Sequence, residues 1–331
     1  MGYQVTKYCY YRGLLSDSEK KAYDTLLSGL INRDSVITLY NILSSRLDVL
    51  YEYVIFDNPI LFYVESLEYE IYHGLRRINV RPVYRFDNRK IDDTIRALNS
   101  VIMSVVSLCN NRSEYEKEIL IHDYICKNVY YDTTYKKSSY ECVGPLIFGK
   151  GVCQGISQAS KLLFDAVGIS SIVVKGDSSS EYNLGDNDTS HSWNIVKINT
   201  AFFHLDTTFD MSLSTNNVIR YDYFNLSDND IKVDHSFDPN NYPICNTQGS
   251  YYYLNSMVFG DLNSFYSYLL KLLRTGSKDV VVQLSNGVKR NNITDELLKL
   301  ADRAALLSNS RSKSIELFFN NSQNVFHLHF V

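Results

Sequence analysis

The sequence predicts an α+β fold, and three observations carry that prediction. An apolar run of helical period opens at Cys153 and closes at Gly168. Three β-rich runs follow it, at 171–176, 191–198 and 202–206, the last two joined by a tight turn at Asn199-Thr200. Residues 251–331 then alternate helix and strand signals on a smaller scale, as a small α/β module would.

Composition bounds the rest. The 331 residues are 45% hydrophobic and 21% charged, which suits a globular protein of one to three units. We divide the chain into an N-terminal helical and hairpin region (1–112), a central core (113–250) and the C-terminal module (251–331). The net charge of −4 and the lack of a long basic run argue against nucleic acid or an anionic membrane as partner. No stretch approaches the ~20 apolar residues of a membrane span. The first twenty residues hold no signal-like apolar run, so a cytoplasmic location is expected unless a leader was removed. Six cysteines without a CxxC pair do not make a disulfide scaffold. No Walker or Rossmann glycine pattern is present, and no cofactor is expected. Oligomeric state is not legible.

Taken in order, Ser16 or Asp17 caps a first expected helix through Leu30, and Asp34 or Ser35 a second through Val36, Leu39 and Leu47. Residues 61–64, 69–75 and 80–86 fit short strands. A long helix is expected from Lys90 to Cys109, and Ser113 with Glu116 forms a capping box for the next. Residues 132–150 are a polar loop. The helix at 153–167 ends at Gly168, a natural C′ residue. Residues 177–190 are a long polar loop, and the chain after Asp210 reads as irregular to Tyr253. Helices at 261–274 and 294–307 and strands at 279–284, 315–319 and 325–330 complete the module.

One constellation stands out. Cys153 opens a helix, His191 opens a strand and Asp206 closes the next strand: nucleophile, base and orienting carboxylate in chain order. A thiol reacts as thiolate, and its ordinary pKa near ~8.5 leaves little of that form at neutral pH. A helix N-terminus and a neighbouring imidazole both favour the anion. Gly151 and Gly155 bracket Cys153 and allow backbone to come close to the reacting atom, and the Cys153 N–H is a candidate oxyanion donor. Counted from the turn, His191 and Asp206 fall near the same end of the hairpin. Each residue also has a structural reading alone: a buried thiol, a satisfied histidine, a capping aspartate.

The blocks Gly151-Val152-Cys153-Gln154-Gly155, His191-Ser192-Trp193-Asn194 and Leu205-Asp206-Thr207-Thr208-Phe209-Asp210 resemble the transglutaminase-like superfamily, specifically its bacterial cysteine-enzyme domains. The resemblance takes in His122-Asp123-Tyr124-Ile125, Tyr130-Tyr131-Asp132 and Tyr223-Phe224-Asn225-Leu226-Ser227, and covers about 113–240. It implies a papain-like core, a helix bearing Cys153 packed on an antiparallel sheet bearing His191 and Asp206. It also implies acyl transfer through a Cys153 thioester on a protein or peptide amide or carboxamide, giving crosslinking, deamidation or hydrolysis. Gln154 and Tyr140 are candidates for an oxyanion side chain, and Trp193 either lines the cleft or packs in the sheet. The alternatives are a cysteine peptidase or amidase without transferase activity, and a non-catalytic peptide- or cell-wall-binding module on the same fold. No metal is expected: Asp186-Asn187-Asp188 is a polar loop, and His327 with His329 lacks an obvious third ligand.

Overall fold

A computed structural model describes residues 8–179, 189–215, 218–288, 292–308 and 313–331. The Asp186-Asn187-Asp188 loop lies outside the described residues. The architecture is mixed α+β, and no described helix is long and apolar enough to cross a membrane.

The central sheet has five strands, all antiparallel, in the order His235–Ser236, Ser171–Ser178, Ser190–Ile198, Ala201–Leu205, Phe224–Leu226. The expected hairpin is its centre, with Asn194 opposite Leu205 and Ile198 opposite Ala201. Asn199 turns it with a φ of 54°, a left-handed conformation that asparagine tolerates. The Cys153–Ala166 helix packs on this sheet with eleven of its residues buried. Both outer strands, Phe224–Leu226 and His235–Ser236, lie in the stretch read as irregular. They are two or three residues long, too short to show a period.

The N-terminal region departs further from expectation. No helix runs through Val36 and Leu47; a strand Ile37–Tyr40 and a helix Leu47–Asp57 stand there instead. Ile37 and Leu39 are the buried positions of an alternating strand and pair with Val80 and Ile78. Leu47, Leu50 and Val54 keep the helical spacing on their own helix. The three short strands expected at 61–86 are two long ones, Val64–Tyr72 and Arg77–Tyr84, after a 3₁₀ turn at Pro59–Leu61. The long helix Asn88–Leu108 is capped by Asp87, whose side chain accepts from the Lys90 N–H, and Glu114–Asn128 opens with the Ser113–Glu116 capping box. One contiguous hydrophobic cluster includes Leu26, Val80 and Ile102 of this region with Ile156, Leu163 and Leu205 of the centre.

At the C-terminus, helices Leu262–Arg274 and Ile293–Leu307 cover one face of a four-stranded sheet. Phe265, Leu269, Leu297, Ala301, Val280, Val282, Phe326 and Leu328 form a hydrophobic cluster of its own there.

Candidate active site

Cys153 is the first residue of its helix. Val152 supplies no side-chain cap, so the first turn keeps N–H groups oriented toward the thiol end of the helix. The helix start is fixed from outside by segment 132–151. Asp132 accepts from the Thr134 and Lys136 N–H groups and from the Ser139 hydroxyl, and these bonds hold its carboxyl below the ordinary range. Ser139 in turn accepts from the Val152 N–H at 2.9 Å. The flanking glycines serve this docking rather than access to the thiol. A Cβ on Gly155 would stand 2.1 Å from the Ser139 carbonyl oxygen, and one on Gly151 2.6 Å from Pro145.

Two side chains join the helix to the sheet beside His191, and a third ties two strands of the sheet together. The Ser157 hydroxyl lies 2.7 Å from the Cys153 carbonyl and 2.9 Å from the Ser192 carbonyl. Asn194 donates to the Ser157 carbonyl at 3.0 Å. The Ser192 hydroxyl donates to the Val174 carbonyl at 2.9 Å. Ser192 and Asn194 of the His-Ser-Trp-Asn block thus have a placement function.

His191 Nε2 lies 2.6 Å from Asp206 Oδ2, and the Cys153 thiol is near enough to the imidazole to act on its charge. With Nε2 on the carboxylate, Nδ1 is the atom left for the thiol. Burial pulls the His191 pKa down, but Asp206 and Cys153 outweigh it and raise it to about 10. Burial pushes Asp206 up, and His191 and His235 more than reverse that, leaving it below its ordinary range. Asp206 Oδ1 meanwhile caps the helix Thr207–Leu213, accepting from the N–H groups of Thr208 and Phe209.

Trp193 does not line a cleft. It is 1% exposed, its Nε1–H donates to His204 Nδ1 at 2.9 Å, and its ring stacks beside His191 at 5.9 Å. The core reading of this tryptophan is the correct one; it forms the floor beneath the imidazole. Gln154 is half-buried and its Nε2 donates to the Tyr140 carbonyl at 3.3 Å. Both residues line a groove of about 540 Å³ beside the start of the Cys153 helix, whose other wall carries Tyr51, Glu52 and Phe56. The N-terminal region thus walls a cleft that the central core alone would leave open.

Sequence reasoning missed His235. Its Nε2 lies 3.0 Å from Asp206 Oδ2 and its Nδ1 2.7 Å from Asp234 Oδ1, and the Tyr223 hydroxyl donates to Asp234 at 2.6 Å. An imidazole with a carboxylate at each nitrogen donates to both only when protonated. Burial opposes that charge, and the two carboxylates outweigh the burial and raise the pKa. The Asp-His pair at 234–235 was the sole local signal. Nearby, Asp210 joins elements: it lies 3.1 Å from His122 Nε2 and accepts from the Tyr223 N–H at 2.9 Å.

Residues 105–207 match the family model described as the transglutaminase-like superfamily. Among solved structures, the chain is similar to a candidate cysteine protease from Cytophaga hutchinsonii, at 17% identity and a TM-score of 0.29 over 44% of this chain and 62% of that one. It is also similar to a protein described as a TGase, at 12% identity and a TM-score of 0.31 over 52% of this chain and 50% of that one. The periplasmic domain of TgpA from Pseudomonas aeruginosa gives 15% identity and a TM-score of 0.27 over 40% and 54%. The chain thus spans between 50% and 62% of the length of these three proteins. No curated protein matches the chain.

Proposed function

We propose that the protein is a thiol-dependent acyl-transfer enzyme acting on a carboxamide or amide of a protein or peptide, with Cys153, His191 and Asp206 as its triad. The observation that carries this reading is His191, held 2.6 Å from Asp206, with the Cys153 thiol near enough to act on its charge. The thiol proton passes to His191 Nδ1, and the Cys153 sulfur attacks the carbonyl carbon. The Cys153 N–H at the helix start, with Gln154 or Tyr140, would stabilise the oxyanion. His191 returns the proton to the leaving amine or ammonia, and a Cys153 thioester remains. Water or a primary amine then attacks the thioester, His191 takes its proton, and the thiol is released. Asp206 keeps Nδ1 directed at the sulfur and stabilises the imidazolium throughout.

The groove walled by Tyr51, Phe56, Gln154 and Tyr140 supports an extended peptide as substrate. Incubation with a glutamine-bearing protein and a dansylated amine, read by mass, tests the reading. Amine incorporation, a deamidation shift or cleavage would each support it and name the acceptor. A product unchanged in amount in Cys153→Ala would overturn it.

A further inference from the structure

The C-terminal sheet has two unlike faces. Val280, Val282, Phe326, Leu328 and Phe330 pack beneath the two helices. His327 and His329, two residues apart on the strand Val325–Phe330, share the opposite face. The antiparallel register sets Asp279 opposite His329 on one neighbouring strand and Glu316 opposite it on the other. The sequence offered no third group beside the two histidines; the register supplies Asp279. Its Oδ1 lies 2.8 Å from His327 Nε2 and 2.7 Å from His329 Nδ1.

We infer that His327 Nε2, His329 Nδ1 and Asp279 form a binding site for a divalent transition metal of the zinc class, with Glu316 in reach as a fourth ligand. The three ligand atoms lie within 4.8 Å of one another. Bonds of about 2.0–2.2 Å in a four-coordinate site put ligand atoms roughly 3.3 Å apart, so small rotations of the rings open the space an ion needs. Cβ atoms of directly opposed residues stand about 4.5–5.5 Å apart, so a rotation of the Glu316 side chain beside His329 would bring its carboxylate to the same ion. Two imidazoles with one or two carboxylates select zinc, nickel or copper over calcium and magnesium.

Access and charge agree with this assignment. The His327 side chain is 3% exposed, Asp279 26% and His329 33%, so the cluster is anchored on one side and open on the other. An imidazole ligates in its neutral form. Each neutral ring presents its lone pair to the ion by carrying its proton on the other nitrogen, so binding forms metal–ligand bonds without any redox change. The cluster of His204, Asp228 and Cys245 is different. Trp193 donates to His204 Nδ1, which places the ring proton on Nε2 facing Asp228 and leaves no lone pair there.

The test uses the full chain carrying Cys153→Ala, stripped of metal with a chelator, so that the candidate active-site thiol plays no part. Zn²⁺ is titrated against a chromophoric chelator, and Co²⁺ is read by its visible spectrum. The expected result is one tight equivalent, a Co²⁺ band without thiolate charge transfer, and a higher Tm with Zn²⁺. Asp279→Asn and His329→Ala, both at the rim, should each weaken binding at least tenfold, with far-ultraviolet circular dichroism unchanged. Should either variant misfold, Glu316→Gln, at an exposed position, should still weaken binding severalfold. No tight equivalent, or one retained in all three variants, overturns the site.

Discussion

His235 Nε2 lies 3.0 Å from the same Asp206 oxygen that faces His191. The carboxylate therefore serves two imidazoles. The His235 charge is set among Asp206, Asp234, His191 and the Tyr223 hydroxyl, with Trp193 and Phe209 as apolar walls. It stabilises the Asp206 anion and repels a proton on His191. His235→Gln should keep the fold, lower kcat less than Asp206→Asn does, and move the basic limb of the kcat/KM profile to higher pH. A profile that does not move would show that His235 only fills space.

The triad reading makes a graded prediction. Cys153→Ala should abolish activity, and His191→Ala and Asp206→Asn should each lose on the order of 10³–10⁴-fold in kcat. Iodoacetamide should label Cys153 before the other five cysteines. Cys109, Cys142 and Cys245 are buried, and burial pushes all three thiols up, as it does Cys126. Peptide mapping after brief alkylation, and kinetics of the three variants, check both statements.

Stability should carry the signature of His191. Its folded pKa of about 10 lies above the ordinary 6.5. A raised histidine contributes stability that is complete below pH ~6.5 and is lost as pH rises toward the folded value. Between those limits the loss is at most about 1.4 kcal/mol per pH unit. Urea midpoints of the wild type should therefore fall more steeply from pH 7 to 9.5 than those of His191→Gln. Parallel curves would contradict the assignment.

Gly155→Ala tests the seat of the Cys153 helix. In an open helix this change gains about 1 kcal/mol. Here the new Cβ would meet backbone at 2.1 Å, so the clash wins and a net loss of about 1–3 kcal/mol is expected. Denaturant melts give the sign directly.

Lys161 and Asp165 form an ion pair whose side chains are 1% and 2% exposed. Lys161 also donates to the Ser171 carbonyl at 2.9 Å, tying the Cys153 helix to the strand after it. Lys161→Ala removes the buried cation from Asp165 and the donor from the Ser171 carbonyl, and should cost about 3–5 kcal/mol. Lys161→Met with Asp165→Leu should recover much of that, as thermal melts would show.

Long periodic elements were legible from local pattern. The capping box at Ser113, the helix at Cys153, the hairpin at Asn199 and the five principal elements of the C-terminal module follow from spacing and turn chemistry, which are short-range. The strand Ile37–Tyr40 was not, because four residues with two apolar positions fit a helix as well as a strand until Arg77–Tyr84 is there to pair with them. The edge strands Phe224–Leu226 and His235–Ser236 failed for the same reason.

By itself, the sequence determined which residue types stand at the ends of the helix and the hairpin, and so where Cys153, His191 and Asp206 enter the fold. Tertiary structure alone decided what surrounds them. It buried Trp193 under His191, set His235 against Asp206 from 29 residues away, and placed the wall of Tyr51 and Phe56 across from Gln154. It likewise brought Asp279 to His327 and His329 across 48 and 50 residues. Spacing along a chain encodes neighbours only within one helix or strand. Contacts between elements depend on strand order and register, which the hydrophobic core selects as a whole.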